Sequence, residues 1–265
     1  MDNTKTAEPA STLRAEPVRS AYELDDGPGR HRIGLIALAS DYATERDFMN
    51  MRPNDEVAVF VSRILNVNPC TVENLRTMAP KVSDAVSLII PEGRLDAVAY
   101  SCTSGTVAIG YDAIAASIHA ERPGIPVATP ITAGLAALAR FGAQKVAVLT
   151  PYVDDVNGPI ARYIEAGGLE VVALTSFLFP DDNDMARIPP EAIYEAALEA
   201  DRPDADALFI SCTAIRAVDV VERIEQALGK PVVTANQALF WQALRAAGYH
   251  PPVDGYGSLL RLPSQ

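Results

Sequence analysis

Cysteine is scarce in this chain: three in 265 residues, too few and too scattered for a disulfide scaffold, and none in C-x-x-C spacing. Histidine is as rare, and His31, His119 and His250 stand far apart, so no metal is expected. No block of Lys and Arg breaks a formal net charge of -12, which argues against a nucleic-acid partner, because phosphates call for a basic face. No apolar run reaches membrane-spanning length, and the first residues lack the basic-then-apolar pattern of a signal peptide. A cytoplasmic protein without a membrane partner is the expectation. A glycine-rich phosphate loop is also missing. The stretch "GTVAIG" follows a strand but does not fit G-x-G-x-x-G, and no cofactor lysine motif occurs, so nucleotides, PLP and other cofactors are not expected.

Apolar residues make up 49% of the chain, enough for a sizeable core. Residues 1–30 mix Pro, Gly, Ser and charge without periodicity and are expected to form a flexible tail. From His31 onward the pattern changes. The runs "RIGLIALA", "EVAVFVSRI", "LDAVAYSC", "IPVATP", "KVAVLT", "LEVVALTSF", "ADALFISC" and "KPVVTA" predict eight strands. Segments such as "TVENLRTMAPKVSDAVSLI", "TVAIGYDAIAASIHAE", "EAIYEAALEA" and "AVDVVERIEQALG" between them carry apolar residues at helical spacing. Continuous apolar strands alternating with helices predict parallel sheets covered on both faces.

The second four strands repeat the first. "LDAVAYSCT" matches "ADALFISCT" at an offset of 110 residues, and "GIPVATPITAGLAALARFGA" matches "GKPVVTANQALFWQALRAAG" at 105. The predicted fold is therefore α/β, two pseudo-symmetric lobes of roughly four parallel strands flanked by helices, with the active site in the cleft between them. Residues 31–129 with 236–265 are assigned to the first lobe and 130–235 to the second. The helix "ITAGLAALARFGA", apolar nearly all round, suits a lobe or subunit interface, and Trp241 core or interface; a homo-oligomer is expected.

The repeat carries the same core letters, Ser-Cys-Thr, at the carboxyl end of a strand in each half, where parallel sheets bind ligands. Symmetry then points Cys102 and Cys212 at one another. A single buried cysteine is most simply packing; two at equivalent positions are not. Thr103-Ser104-Gly105 and Thr213-Ala214 are expected to open helices whose free N–H groups hold a carboxylate and lower the thiol pKa. Cys70 lacks a counterpart and is assigned a structural role.

These residues resemble a known family. "GLIALASDYATERDF", "NPCTVENLR", "AYSCTSGTVAIG", "VLTPYVDDVN", "DDNDMARI", "FISCTAIRA" and "PVVTANQALFW" are similar to the aspartate/glutamate racemase superfamily, in its maleate isomerase and arylmalonate decarboxylase branch. The combination resembles in particular the ectoine-utilisation protein A group. The resemblance implies that Cys102 and Cys212 are the catalytic pair, with Thr103 and Ser104 stabilising an oxyanion. It implies that Tyr152 bonds a substrate carboxylate and that Asn183 lies near the substrate. Thr213, following the second cysteine, joins the substrate-binding set. Asp41 departs from the maleate isomerases, which have asparagine there. An aspartate repels a second carboxylate unless protonated or paired, which favours a substrate with a cationic or neutral group at that end. The decarboxylases carry glycine at the Cys102 position, so two cysteines count against decarboxylation. Glu45 and Arg46 are expected on a solvated helix face.

The chemistry expected is a cofactor-independent racemase or isomerase acting at the alpha carbon of a small carboxylate, an amino-acid derivative of ectoine or hydroxyectoine breakdown. Three alternatives stand beside it: maleate cis-trans isomerisation by cysteine addition to C=C, arylmalonate-type decarboxylation, and a small-molecule binding protein without catalysis.

Overall fold

β-branched runs separated by amphipathic segments fold as alternating strand and helix in the computed structural model, which describes residues 13–262. Residues 1–12 of the expected tail lie outside the described residues; 13–30 contain neither helix nor strand and are almost wholly exposed. The first half runs β1 (His31–Leu38), α1 (Thr44–Met51), β2 (Val57–Ile64), α2 (Val72–Arg76), α3 (Val82–Ser87), β3 (Ala97–Tyr100), α4 (Thr103–Ile109), α5 (Tyr111–Glu121), β4 (Val127–Ala128) and α6 (Pro130–Arg140). The second runs β5 (Lys145–Thr150), α7 (Asp154–Ala166), β6 (Glu170–Ser176), α8 (Asp182–Met185), α9 (Pro190–Ala200), β7 (Ala207–Ile210), α10 (Val221–Leu228), β8 (Val232–Thr234) and α11 (Ala235–Ala246).

Two parallel sheets of four strands result, ordered β2-β1-β3-β4 and β6-β5-β7-β8. The identical order is the duplication written in topology. The central strands β3 and β7 are buried along their whole length, as runs without alternation require. Two expected helices are broken for identifiable reasons. "TVENLRTMAPKVSDAVSLI" divides into α2, a 3-10 turn holding Pro80, and α3. "TVAIGYDAIAASIHAE" divides at Gly110, whose φ of 97° suits glycine and few other residues.

The apolar helix α6 packs on α11 within the chain, and Gly134 on α6 meets Phe209 so closely that a Cβ there would lie 2.8 Å from the ring. Helix α11 starts with a capping box, Thr234 with Gln237, and is buried for most of its length against α6, β3 and β4. Trp241 is buried, and its indole N–H donates to the Leu262 carbonyl at 3.3 Å. Trp241 therefore belongs to the core.

Candidate active site

In the order β2-β1-β3-β4 the chain leaves β1 for one side and reaches β3 on the other, so the loops after β1 and β3 diverge and open a crevice. The same happens after β5 and β7. The Ser101 N–H donates to the Ile36 carbonyl at 2.9 Å, and the Ser211 N–H donates to Leu149 at 2.9 Å, which fixes both Ser-Cys-Thr turns alike. Beyond that the copies differ. Cys102 caps α4, and its Sγ accepts the Gly105 N–H at 3.1 Å. Cys212 Sγ accepts the Ala214 N–H at 3.3 Å, but Thr213-Ala214 does not open a helix: the chain turns irregularly into a 3-10 turn at Ala217–Asp219.

The two turns meet, with Thr213 Oγ1 donating to the Ser101 carbonyl at 3.4 Å. One cleft is lined by Cys102, Cys212, Asp41, Ser104, Tyr152 and Thr213, together with Leu38, Ser40, Asp182 and Ala214. Its free volume is about 10 Å³, room for about one water. Hydrogen bonds join the loops beside it. Asn66 Nδ2 donates to Asp182 at 2.8 Å, Asn68 Nδ2 to Asp181 at 3.3 Å, and the Cys70 N–H to the Pro180 carbonyl at 2.8 Å.

Two of the expected residues fall outside this lining. Thr103 is buried, and its hydroxyl has no hydrogen-bond partner among the described residues. Asn183 gives its amide N–H and its side chain to Asp181 Oδ1, at 2.7 and 2.9 Å, and turns away; its neighbour Asp182 lines the cleft instead. Cys70, assigned a structural role, is buried in the core behind the cleft lining. Ser104 Oγ lies 3.8 Å from both the Cys70 and the Cys102 sulfur, so three thiols share the region. Arg46, expected on a solvated face, is half-exposed and paired with Asp219 at 2.9 Å.

Burial governs the electrostatics. It pushes the Cys102 thiol well above its ordinary value, with Cys70 and Asp182 adding to the rise and the Gly105 N–H opposing it. Burial pushes Cys212 up to about 12 against the opposing hydrogen bond from the Tyr152 hydroxyl, and Cys70 also to about 12. The N–H groups at the turns do favour the thiolate as expected, but desolvation outweighs them. A thiol at 12 is ionised in roughly one molecule in 10⁵ at pH 7. Asp41 is raised by burial too, although both of its oxygens are engaged: Oδ1 accepts the Ala43 and Thr44 N–H groups at 2.7 and 2.8 Å, and Oδ2 the Thr44 hydroxyl at 2.5 Å. Asp41 is thus a helix cap as well as a cleft residue.

Ser104, Cys212 and Thr213 each keep a backbone N–H that donates to nothing among the described residues. Such groups stabilise developing negative charge in a dry site. Behind the cleft, Asn236 Nδ2 donates to the Thr213 carbonyl at 2.9 Å and to Asp47 at 2.8 Å, while the Thr44 hydroxyl meets Ser101 Oγ at 2.7 Å. No lysine, arginine or histidine lines the cleft. Among the described residues no group of three or more His, Cys, Asp or Glu is arranged to hold a metal ion.

Comparison with known proteins agrees with this fold. The sequence model described as arylmalonate decarboxylase matches residues 55–260. A maleate isomerase of Geobacillus stearothermophilus is 27% identical over 243 residues, covering 86% of this chain and 96% of that protein. An arylmalonate decarboxylase of Bordetella bronchiseptica is 33% identical over 142 residues, 52% of this chain and 59% of that protein. Among solved structures, the maleate cis-trans isomerase of Nocardia farcinica, in a cysteine-to-serine variant with a covalently bound succinylcysteine intermediate, aligns with a TM-score of 0.78. Its identity is 25%, over 87% of this chain and 98% of that one.

Proposed function

From the premise that the chain belongs to the arylmalonate decarboxylase family, in the maleate isomerase and arylmalonate decarboxylase branch of the aspartate/glutamate racemases, we propose that it is a cofactor-independent isomerase working at the alpha carbon of a small carboxylate through Cys102 and Cys212. The observation that carries this is the convergence of two thiols, from equivalent turns of a duplicated fold, on one closed cleft. One thiolate removes the alpha proton and the opposite thiol returns a proton to the other face, so the configuration inverts without net change in atoms or electrons. The N–H groups of Ser104, Cys212 and Thr213, with the Ser104 hydroxyl, take up the charge that develops on the carboxylate.

Two carboxylates, Asp41 and Asp182, line the cleft and no cationic side chain lines it with them, an arrangement that disfavours a dianion such as maleate. This supports an amino-acid derivative, in line with the resemblance to ectoine-utilisation proteins, with ectoine or hydroxyectoine breakdown as its setting. The same proposal divides the chain into a lobe of 31–129 with 236–265 and a lobe of 130–235. A second reading is favoured by the succinylcysteine found in the Nocardia relative. Here Cys102 adds to a C=C bond, the adduct rotates about the resulting single bond, and the thiolate leaves.

Incubation with ectoine and related chiral acids in D2O, followed by NMR, separates the two. Racemisation washes deuterium into the alpha position and is lost in Cys102→Ser and in Cys212→Ser. Turnover of maleate without such exchange supports the second reading. Unchanged turnover in Cys102→Ser would end both.

A further inference from the structure

The two carboxylates of the cleft are not equivalent. Asp41 has both oxygens occupied by the start of α1, and Arg63 adds a compensating positive field. Asp182 has neutral partners only. Its Oδ2 accepts Asn66 Nδ2 at 2.8 Å and Ser40 Oγ at 3.2 Å, and its Oδ1 accepts no hydrogen bond from any described residue. Three arginines, Arg46, Arg187 and Arg216, line a separate groove with Tyr42 and Ala186; Arg46 is already paired with Asp219 and Arg187 with Asp184. Half-buried Asp182 therefore keeps one oxygen without a donor at a cleft that no cationic side chain lines, although partial burial and the nearby Asp181 and Asp41 raise its pKa.

We propose that Asp182 is the specificity-determining residue of the cleft: it receives a protonated nitrogen, an ammonium or amidinium, of a zwitterionic substrate whose carboxylate lies at the two cysteine turns. The proposal rests on the isomerase reading above and narrows its substrate class. A half-buried carboxylate with an open oxygen attracts a cation and repels a second carboxylate, so zwitterions are admitted and dicarboxylates rejected. Asp182 also acts on the chemistry, because its negative field is among the causes that hold Cys102, Cys212 and Cys70 in the thiol form. A cation seated on Asp182 cancels that contribution and eases ionisation of the thiols, while burial, the larger cause, remains.

The test uses the thiols themselves as reporters. Alkylation of Cys102 and Cys212 in the full chain is followed by peptide mass mapping with 2-bromoethylamine, which is cationic, iodoacetate, which is anionic, and iodoacetamide, which is neutral. Each rate is divided by that of glutathione, so intrinsic reagent reactivity cancels; thiolate fraction cancels in the cation-to-anion ratio. The wild-type ratio is expected to exceed that of glutathione about tenfold or more, and Asp182→Asn to remove most of that preference while speeding reaction with iodoacetamide. Asp182→Glu should keep it. A wild-type ratio equal to that of glutathione, or an Asp182→Asn protein that retains the wild-type ratio, overturns the proposal. The wild-type measurement decides alone if the variant fails to fold. Because no turnover is read, loss of charge selectivity with intact deuterium exchange refutes Asp182 only, and intact selectivity without exchange refutes only the isomerase reading.

Discussion

Cys102 Sγ accepts the Gly105 backbone N–H at 3.1 Å, and a Cβ added at Gly105 would lie only 2.7 Å from that sulfur. The same Cβ would meet Met78 Cε at 2.9 Å and Tyr100 Oη at 3.0 Å. All three residues are buried, and of the three only Cys102 borders the cleft, so the thiol is the group that gives way. Glycine here is demanded by the approach of the thiol, since the backbone is ordinary helix.

Gly105→Ala is therefore expected to leave a folded protein with a displaced thiol. A displacement of order 1 Å at a reacting atom costs roughly 100-fold in kcat. Turnover, read beside a melting curve, checks it; full activity in the alanine variant would detach Cys102 from the chemistry.

Tyr152 is held by its own backbone: its carbonyl accepts Asn157 Nδ2 at 2.7 Å and Ser176 Oγ at 2.5 Å. That leaves its hydroxyl to bond the Cys212 sulfur, which favours the thiolate. Tyr152→Phe removes a hydrogen bond to a charged group, so Cys212 should be roughly tenfold to a hundredfold less ionised. Iodoacetamide labelling of Cys212 at pH 9 should slow by that factor, with far less change at Cys102. Equal labelling of the two proteins would show that the hydroxyl does not tune the thiol.

How much of this was legible in the sequence follows from how far each feature depends on distant contacts. The sheets were readable because continuous β-branched runs fold only where both faces are covered. The cysteine pair was readable because Ser-Cys-Thr ends a strand in each copy. Asp182 was not. Within "PDDND" no periodicity says which residue faces inward; Asp181 decides it by taking both the amide and the side chain of Asn183. Its partner Asn66 lies 116 residues away. The place of Cys70 beside Ser104 was hidden for the same reason, since the packing of α2 on α4 brings the two together. The irregular turn after Cys212 was hidden by the likeness of the two copies.

Asn236 ties both halves of the site together. It bonds Asp47 and the Thr213 carbonyl, and it is itself buried. Asn236→Ala leaves Asp47 and the Thr213 carbonyl without these donors, which should destabilise by about 3 kcal/mol. Loosening the Cys212 turn should lower kcat more than it raises KM. Denaturant unfolding and steady-state kinetics check the two effects. A loss of stability with unchanged kcat would make the network purely structural.

Asp47 supplies the pH dependence. It is fully buried, and burial pushes its carboxyl up to about 7 despite the bond from Asn236 and the charge of Arg46. A carboxyl whose folded value exceeds its unfolded value of about 3.9 binds its proton more tightly when folded. The stability this contributes is complete below the unfolded value and is lost as pH rises to about 7, above which the loss is constant. The size is a few kcal/mol at most. Asp47→Asn cannot ionise and still offers an oxygen to Asn236, so its melting temperature relative to wild type should climb between pH 4 and pH 8 and then level off. Melting curves of both proteins across that range give the difference directly, with every other titrating group common to the two. A difference that stays flat, or falls as pH rises, would mean that Asp47 is charged in the folded protein throughout.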